Sequence, residues 1–206
     1  MSSLAPKLST LFKDLSYIFS RTRVIRKPAA LLYYYARFRI KRFLRSSSKS
    51  ESFLGFTVHF PDYQNFYHVW REIFLHESYS VSLVPVPGRG LRIVDAGSNF
   101  GMSVLFFKYL YPEARIAGYE LSDDTFAWLK RNVEGNKLQN VDVYNVGVAG
   151  RTGVATFYDA GDGNLGNSIV GGYAPDNVAL RTREVKTMSL ASIVAGDRVD
   201  LLKMDI

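Results

Sequence analysis

The chain has 206 residues, of which 47% are hydrophobic and 14% aromatic, and its net charge is +7. This length allows one ordinary domain with an appendage, and the apolar content excludes a disordered protein. The absence of cysteine excludes disulfides, thiolate zinc sites and a cysteine nucleophile. No apolar run approaches the roughly 18 residues that a membrane-spanning helix needs.

The charge is distributed unevenly along the chain. Residues 1–50 contain 12 of the 26 basic residues and a single acidic residue, Asp14, so this segment carries +11. Residues 51–206 contain 14 basic and 18 acidic residues and carry −4. We therefore divide the chain into a basic helical N-terminal arm, residues 1–50, and a mildly acidic domain, residues 51–206.

The basic arm has the pattern of two helices, one in residues 4–20 and one from Ala29 to Leu44, separated by Pro28. The apolar stripe of the first consists of Leu8, Phe12, Leu15 and Phe19. That of the second consists of Leu32, Ala36, Ile40 and Phe43, with Arg37, Lys41 and Arg45 along another face. The polar run Ser46 to Ser50 is typical of a linker.

Three interpretations of the arm stay open at this point. Its helices pack on the domain and leave a basic face in solvent, or a basic amphipathic helix lies on an anionic membrane surface. Alternatively, the Arg-rich and acid-poor composition marks a transit peptide or an arm that binds nucleic acid. Nucleic acid is the partner that we favour least.

The domain begins with elements that carry no recognisable chemistry. Phe53 to Phe60 has the composition of a strand that Pro61 ends, and a helix is predicted across Tyr67 to His76. The three histidines do not pair with each other or with a carboxylate at a known ligand spacing, so we predict no metal site; they are His59, His68 and His76.

The next stretch organises the rest of the domain. Arg92 to Val94 is a short β-branched run typical of a buried strand, and Asp95 closes it with a carboxylate. Gly97 and Gly101 bracket a tight turn, after which Met102 to Leu110 is predicted to be helical. Strand, acid, glycine turn and helix together describe the nucleotide-binding corner of a doubly wound α/β domain.

Further α/β elements follow this corner. A second strand is predicted over Arg115 to Tyr119, ending at Glu120, and a helix that Ser122 caps follows it. A third strand is predicted over Val141 to Val148, and a hairpin strand over Ala155 to Tyr158. The remaining elements are an extended segment over Glu184 to Met188, a short helix over Ser189 to Val194 and a fourth buried strand over Val199 to Ile206. Because such an apolar last strand needs partners on both sides, we expect the sequence to be the N-terminal portion of a longer protein. Ser168, in a Gly-rich loop, is a candidate lid residue.

The glycine turn indicates which ligand it accepts. Its pattern is D-x-G-x-N-x-G, and Asn99 stands where a dinucleotide site needs a glycine so that a diphosphate can approach the backbone. S-adenosylmethionine carries no phosphate, and its amino-acid end can meet the backbone of the turn, which includes Ser98. Asp95 can hold its ammonium group directly or through water.

A second acid completes the predicted cofactor site. Glu120 lies 19 residues beyond Gly101, at the end of the next strand. A carboxylate in that position accepts two hydrogen bonds from a ribose diol. Leu121 beside it can flank an adenine ring.

Several segments of the chain resemble the FkbM-type family of S-adenosylmethionine-dependent methyltransferases, over roughly Trp70 to Ile206. They are V-D-A-G-S-N-F-G, G-Y-E-L-S, and L-K-M-D-I after V-K-T-M-S-L. The resemblance implies a class I methyltransferase fold, Rossmann-like with a mostly parallel seven-stranded sheet. It also implies methylation of hydroxyl oxygens on sugars or natural products. In the family's K-x-D-x-E-G segment, Lys203 and Asp205 of this chain match the Lys and Asp, and the sequence ends before the Glu-Gly. The resemblance therefore implies a domain truncated after the fourth core strand.

The resemblance also implies roles for individual residues. The turn residues Asp95, Gly97, Asn99 and Gly101 would line the methionine end of the cofactor, Glu120 its ribose, and Asn145 and Val146 its adenine. Asp205 would face the transferred methyl group, where a carboxylate can accept or orient a hydroxyl proton. Lys203, two residues earlier on the strand, would pair with Asp205 and keep it ionised, or be structural.

We therefore predict a S-adenosylmethionine-dependent O-methyltransferase that acts on a glycan, glycolipid or secondary metabolite. The alternative is a non-catalytic methyltransferase-like module that docks to membrane or nucleic acid through its basic arm. An NAD-linked oxidoreductase is disfavoured by Asn99. The expected location is cytoplasmic, with peripheral membrane contact through residues 1–50 left open.

Overall fold

The structure, a computed structural model, describes residues 4–21, 25–83, 90–159, 181–196 and 198–206. Ser168, the candidate lid residue, lies outside these ranges. The chain divides into two compact units, residues 1–49 with 62–82 and residues 50–61 with 83–206. The predicted boundary after residue 50 stays a prediction. None of the described helices is long and apolar enough to cross a membrane.

The first unit is helical. Its helices are α1 (Leu4–Ser16), α2 (Pro28–Phe43) and α3 (Tyr63–Trp70), and α1 and α3 continue as single π-helical turns over Tyr17–Arg21 and Arg71–Leu75. Both predicted arm helices form, but burial does not follow their predicted stripes. Helix α2 buries Leu31, Tyr35 and Phe38, whereas Ile40 and Phe43 are exposed. Periodicity locates a helix here, and tertiary packing selects which face it buries.

A buried carboxylate joins the elements of this unit. Asp14, the one acid of the basic arm, is fully buried, and its oxygens lie 2.8 Å from Nε of Arg71 and 2.8 Å from Nε2 of His76. Burial opposes ionisation, but the hydrogen bonds from His76 and Arg71 outweigh it and lower the pKa of Asp14. The only acidic residue of the arm is therefore neutralised inside the unit.

The second unit is built on a four-stranded parallel sheet. Its strands are β3 (Arg92–Ala96), β4 (Arg115–Tyr119), β5 (Val141–Tyr144) and β9 (Leu201–Met204), in the spatial order β5-β4-β3-β9. Helices α4 (Met102–Leu110), α5 (Asp123–Gly135) and α6 (Leu190–Val194) connect its strands or precede them. Counted along the chain, the order is 3-2-1-4, as in doubly wound sheets. The predicted α/β fold with a mostly parallel, Rossmann-like sheet is confirmed.

Smaller strands complete this unit. They are the hairpin strands β1 (Ser50–Phe53) and β2 (Phe56–His59), and the three-stranded sheet of β6 (Gly147–Ala149), β7 (Gly153–Asp159) and β8 (Arg181–Ser189). The predicted single strand over Phe53 to Phe60 is thus wrong, because Leu54 and Gly55 both have positive φ and make a two-residue turn. The predicted third strand is also divided: β5 ends at Tyr144 and β6 pairs with β8 instead.

The fourth strand was predicted to be buried, and this is only partly correct. Within the described part of the chain, β9 pairs with β3 alone. Lys203 is buried, whereas Leu202 and Met204 are exposed. Leu202 and Met204 therefore lie on a face of β9 that the described residues leave uncovered.

Two asparagines on α5 hold the β1–β2 hairpin. The amide of Asn132, which is fully buried, accepts a hydrogen bond from the His59 N–H (2.7 Å) and donates to the carbonyls of His59 (2.8 Å) and Phe100 (2.7 Å). One helical turn later, Asn136 makes the same two bonds to the backbone of Thr57. Through Asn132 the hairpin, α5 and the turn that follows β3 become one connected structure.

We predict that Asn132→Leu lowers the free energy of unfolding by about 3 kcal/mol, because it leaves buried backbone groups at His59 and Phe100 without this partner. Asn136→Leu is the matched control, since its bonds to Thr57 are exposed, and we expect it to lower that free energy by less than about 1 kcal/mol. Urea unfolding followed by circular dichroism measures both variants. Equal losses would contradict the role of Asn132.

Candidate functional site

The site lies at the carboxyl end of the parallel sheet and begins with the turn after β3. Gly97, Asn99 and Gly101 all have positive φ, at 79°, 50° and 94°. The N–H groups of Gly97 and Ser98 both donate to the carbonyl of Tyr119, at 2.9 and 2.8 Å. The turn after β3 is thus fastened to the last residue of β4, and the two neighbouring strands end at one place.

Gly97 is required because the end of β9 passes directly over it. A Cβ built at Gly97 would lie 1.9 Å from the carbonyl oxygen of Asp205 and 3.3 Å from Cγ2 of Ile206. The N–H of Asp205 donates to the carbonyl of Ala96 at 3.0 Å, which holds the segment in this position. A second close approach occurs at Gly118, where a Cβ would lie 2.8 Å from Oγ of Ser98.

Glu120 crosses from β4 to the glycine turn. Its Oε2 accepts a hydrogen bond from the Asn99 N–H, and its Oε1 accepts one from the Ser122 N–H, both at 2.9 Å. Burial raises the pKa of the Glu120 carboxyl above its usual range, while these N–H donors act in the opposite direction. Each oxygen of a carboxylate accepts more than one hydrogen bond, so both keep acceptor capacity for a ligand.

Asp95 lies beneath the turn and is engaged by the protein itself. The side chain is fully buried, its Oδ2 accepts a hydrogen bond from Oγ of Ser103 at 2.5 Å, and its Oδ1 lies 3.0 Å from Nζ of Lys203. Lys203, which is 8% exposed, also donates to the carbonyls of Gly97 and Ala96. We call the set Asp95, Ser103 and Lys203 the buried clamp.

The buried clamp shows how the protein itself contacts two of the expected site residues. Lys203 was expected to pair with Asp205 or to be structural, and its ion pair in the structure is with Asp95. Asp95 was expected to meet the ammonium group of the cofactor, yet Lys203 and Ser103 engage its two oxygens. Asp205 is exposed at the end of β9, with its backbone over the glycine turn.

The expected adenine-side residues lie where β5 ends. Asn145 follows β5, and its amide donates to the carbonyls of Glu120 (3.1 Å) and Leu121 (3.2 Å). Val146 packs against a core cluster that includes Val94 and Tyr119. A Cβ at Gly147 would lie 2.8 Å from Cδ1 of Leu121, so this glycine makes room for that side chain. The structure therefore brings the ends of β3, β4, β5 and β9 together.

Three residues at the site were missed from the sequence. Ser103 and Asn132 bind the turn from α4 and α5, and Arg183 on β8 holds the start of α5 through Oδ2 of Asp123 at 2.7 Å. The guanidinium of Arg183 also lies 5.2 Å from the ring centre of Phe157. Each of these side chains forms a hydrogen bond with a residue 8 to 60 positions away in the sequence, and no local motif predicts such contacts.

Comparison with known proteins finds that this chain is similar to methyltransferases. No family model matches it. A 99-residue stretch, 47% of the chain, is 35% identical to 38% of Methyltransferase 1 of Beauveria bassiana (strain ARSEF 2860). A stretch of 86 residues, 41% of the chain, is 31% identical to 32% of Methyltransferase sdnD of Sordaria araneosa. The chain thus spans about a third to two fifths of the length of these curated relatives.

Solved structures similar to the chain include the SAM-dependent methyltransferase from Agrobacterium tumefaciens, with a TM-score of 0.36, 16% identity and coverage of 48% of this chain and 33% of that one. The N-terminal domain of human METTL16 in complex with SAH has a TM-score of 0.34 and 16% identity, and the match covers 62% of this chain and 59% of that one.

We predict that Gly97→Ala lowers the free energy of unfolding by at least about 2 kcal/mol, because it combines a positive φ with a clash against the Asp205 backbone. Gly150→Ala is the matched control: a Cβ there has open space, and we expect almost no change. Thermal and urea unfolding measure both variants. A Gly97→Ala protein as stable as the Gly150→Ala protein would contradict the close approach.

Proposed function

We propose that this chain forms the cofactor-binding part of a S-adenosylmethionine-dependent methyltransferase of the FkbM type. The observation that carries the proposal is the position of the Glu120 carboxylate, which bridges the Asn99 N–H of the glycine turn and the Ser122 N–H at the start of α5. An acid at the end of the strand beside a glycine turn is where a nucleoside ribose binds in doubly wound folds. The similarity to two curated methyltransferases supports this assignment.

The residues present fit the cofactor. We assign the methionine end to the backbone of the turn from Gly97 to Gly101, the ribose to Glu120, and the adenine to Leu121, Asn145 and Val146. Asp95, with both oxygens engaged inside the protein, fixes the shape of the turn from below. Asn99 supports this ligand over a dinucleotide, because its side chain accepts a hydrogen bond from the Phe100 N–H at 2.8 Å in the place where a diphosphate needs a glycine.

For the reaction, we assign the proton-accepting role to Asp205. When bound, S-adenosylmethionine supplies a methyl group on a positively charged sulfur. An acceptor hydroxyl would lose its proton as its oxygen takes the methyl group and the bond from that methyl to sulfur breaks. We assign the acceptance of this proton to the carboxylate of Asp205, an exposed residue whose backbone lies over Gly97. Lys203 is buried and tied to Asp95, so its role is to position the turn and not to touch the reacting atoms.

The proposed acceptor is a hydroxyl group on a glycan, a glycolipid or a secondary metabolite. This class rests on the FkbM resemblance alone. The alternative function is a non-catalytic module that docks to membrane through the basic arm, and the apolar residues exposed on that arm favour it. The two differ in cofactor binding: the enzyme binds S-adenosylhomocysteine at Glu120, and a module that has lost the chemistry does not.

We predict that Glu120→Gln weakens S-adenosylhomocysteine binding by about 10- to 100-fold, because hydrogen bonds to a charged group contribute about 1.5–3 kcal/mol. Asp142→Asn, which removes an exposed carboxylate from β5, is the matched control and should bind as the native chain does. Isothermal calorimetry measures both. The absence of binding by the native chain would refute the proposed function.

The same site gives a pH dependence. Burial raises the pKa of Glu120, so the carboxylate becomes protonated at a higher pH than an ordinary glutamate and loses acceptor capacity for the ribose hydroxyls. We expect the affinity for S-adenosylhomocysteine to fall as the pH is lowered towards that raised pKa. The Glu120→Gln variant should show a flat profile over this range. A native profile as flat as that of the variant would show that Glu120 does not contact the ligand.

We predict that Lys203→Met lowers the free energy of unfolding by about 3 kcal/mol, because it leaves the buried Asp95 carboxylate without its cation. Combining it with Asp95→Asn should recover most of this loss, since the pair is then removed together. A double-mutant cycle in urea measures a coupling of about 2 kcal/mol or more. Additive effects of the two substitutions would exclude the buried clamp.

A further inference from the structure

Helix α2 has two apolar faces, and only one of them is covered. Leu31, Tyr35 and Phe38 are buried in the first unit. On the other side and at the helix end, four large apolar side chains are 59% to 85% exposed; they are Tyr33, Ile40, Phe43 and Leu44. We call these four residues the α2 apolar surface.

Helical spacing puts the α2 apolar surface on one face of the helix. Ile40, Phe43 and Leu44 are three and four positions apart and lie on neighbouring turns, and Tyr33 lies two turns before Ile40 on the same face. Phe43 is the most exposed, at 85%, and Leu44 follows at 69%. On α1, Phe12 and Phe19 are exposed to a similar degree. Half of the twelve large hydrophobic residues that are exposed in the described ranges fall between positions 12 and 44.

Basic residues accompany this surface. Lys41 and Arg45 are within three positions of Phe43 and Leu44 in the sequence, and the guanidinium of Arg37 lies 5.9 Å from the ring centre of Tyr33. The arm carries +11, and its single acid, Asp14, is buried against Arg71 and His76. The arm therefore presents these apolar side chains together with an excess of basic ones, and its single acid is not at the surface.

We propose that the α2 apolar surface docks on an anionic lipid bilayer, with Phe43 and Leu44 entering the boundary between headgroups and acyl chains. Positive charge and exposed aromatic and aliphatic residues on one helix are the features that bind such a boundary. Nucleic acid explains the charge alone, because contacts to phosphates do not need exposed Phe and Leu side chains. A second copy of the arm would bring two segments of +11 together. This inference is independent of the proposed methyl transfer.

The test is sedimentation of the full chain with vesicles of phosphatidylcholine mixed with phosphatidylserine, and with vesicles of phosphatidylcholine alone. We expect binding to the anionic vesicles that weakens as salt is raised. Phe43→Ser combined with Leu44→Ser should reduce the partition coefficient at least about 10-fold, because two apolar side chains no longer leave water. Lys41→Gln combined with Arg45→Gln should also reduce it about 10-fold, through lost attraction to the lipid headgroups.

Val154→Ser is the matched control, since Val154 is 61% exposed on β7 in the other unit and should bind as the native chain does. All substituted side chains are at least partly exposed, and thermal unfolding checks that every variant folds. Equal binding to neutral vesicles, or full binding by the Phe43 and Leu44 variant, would overturn the proposal. Binding to duplex nucleic acid without binding to any vesicle would also overturn the proposal. So would a concentration-dependent dimer of the native chain that does not form when Phe43 and Leu44 are replaced by Ser.

Discussion

The corner around the glycine turn depends on one buried ion pair. Asp95, one residue before the end of β3, has a carboxylate that no solvent reaches, and such a charge is tolerated only when it is paired and hydrogen-bonded. Lys203 supplies the cation from the neighbouring strand, where the register places it directly opposite Asp95, and Ser103 supplies a hydroxyl from the next helix. The observed register of β3 and β9 therefore brings these two charges together.

The same lysine also holds the backbone of the glycine turn, where we propose that the cofactor binds. Its ammonium group also contacts the carbonyls of Ala96 and Gly97, which are the last carbonyls before the turn reverses. On the other side, the turn donates N–H groups to Tyr119 and Glu120 at the end of β4. A turn held from two adjacent strands is rigid before a ligand arrives, and binding to such a turn loses less entropy than binding to a mobile loop.

Charge divides the chain into two parts with different physical needs. In the domain, the carboxylates of Asp95 and Glu120 lie near the ends of neighbouring strands, where Lys203 pairs with the first and backbone N–H groups donate to the second. In the arm, the single carboxylate is buried, whereas the basic side chains that the structure describes there are at least partly exposed, as are several large apolar side chains. Exposed apolar side chains and clustered positive charges are both unfavourable in water alone. An anionic, partly apolar surface would stabilise both, and we therefore propose such a surface as the partner of the arm.

The sequence alone determined the strand, glycine turn and helix around Asp95, the second strand ending at Glu120, and the helices of the arm. These features are local: a β-branched run, two glycines at a fixed spacing and a period of three to four residues are set by neighbouring positions. Tertiary structure decided what no local pattern specifies. It selected which face of α2 is buried, divided the predicted third strand at Asn145, and paired Lys203 with Asp95. Each of these outcomes depends on partners many residues away, because burial and charge pairing are properties of the folded surroundings and not of the segment itself.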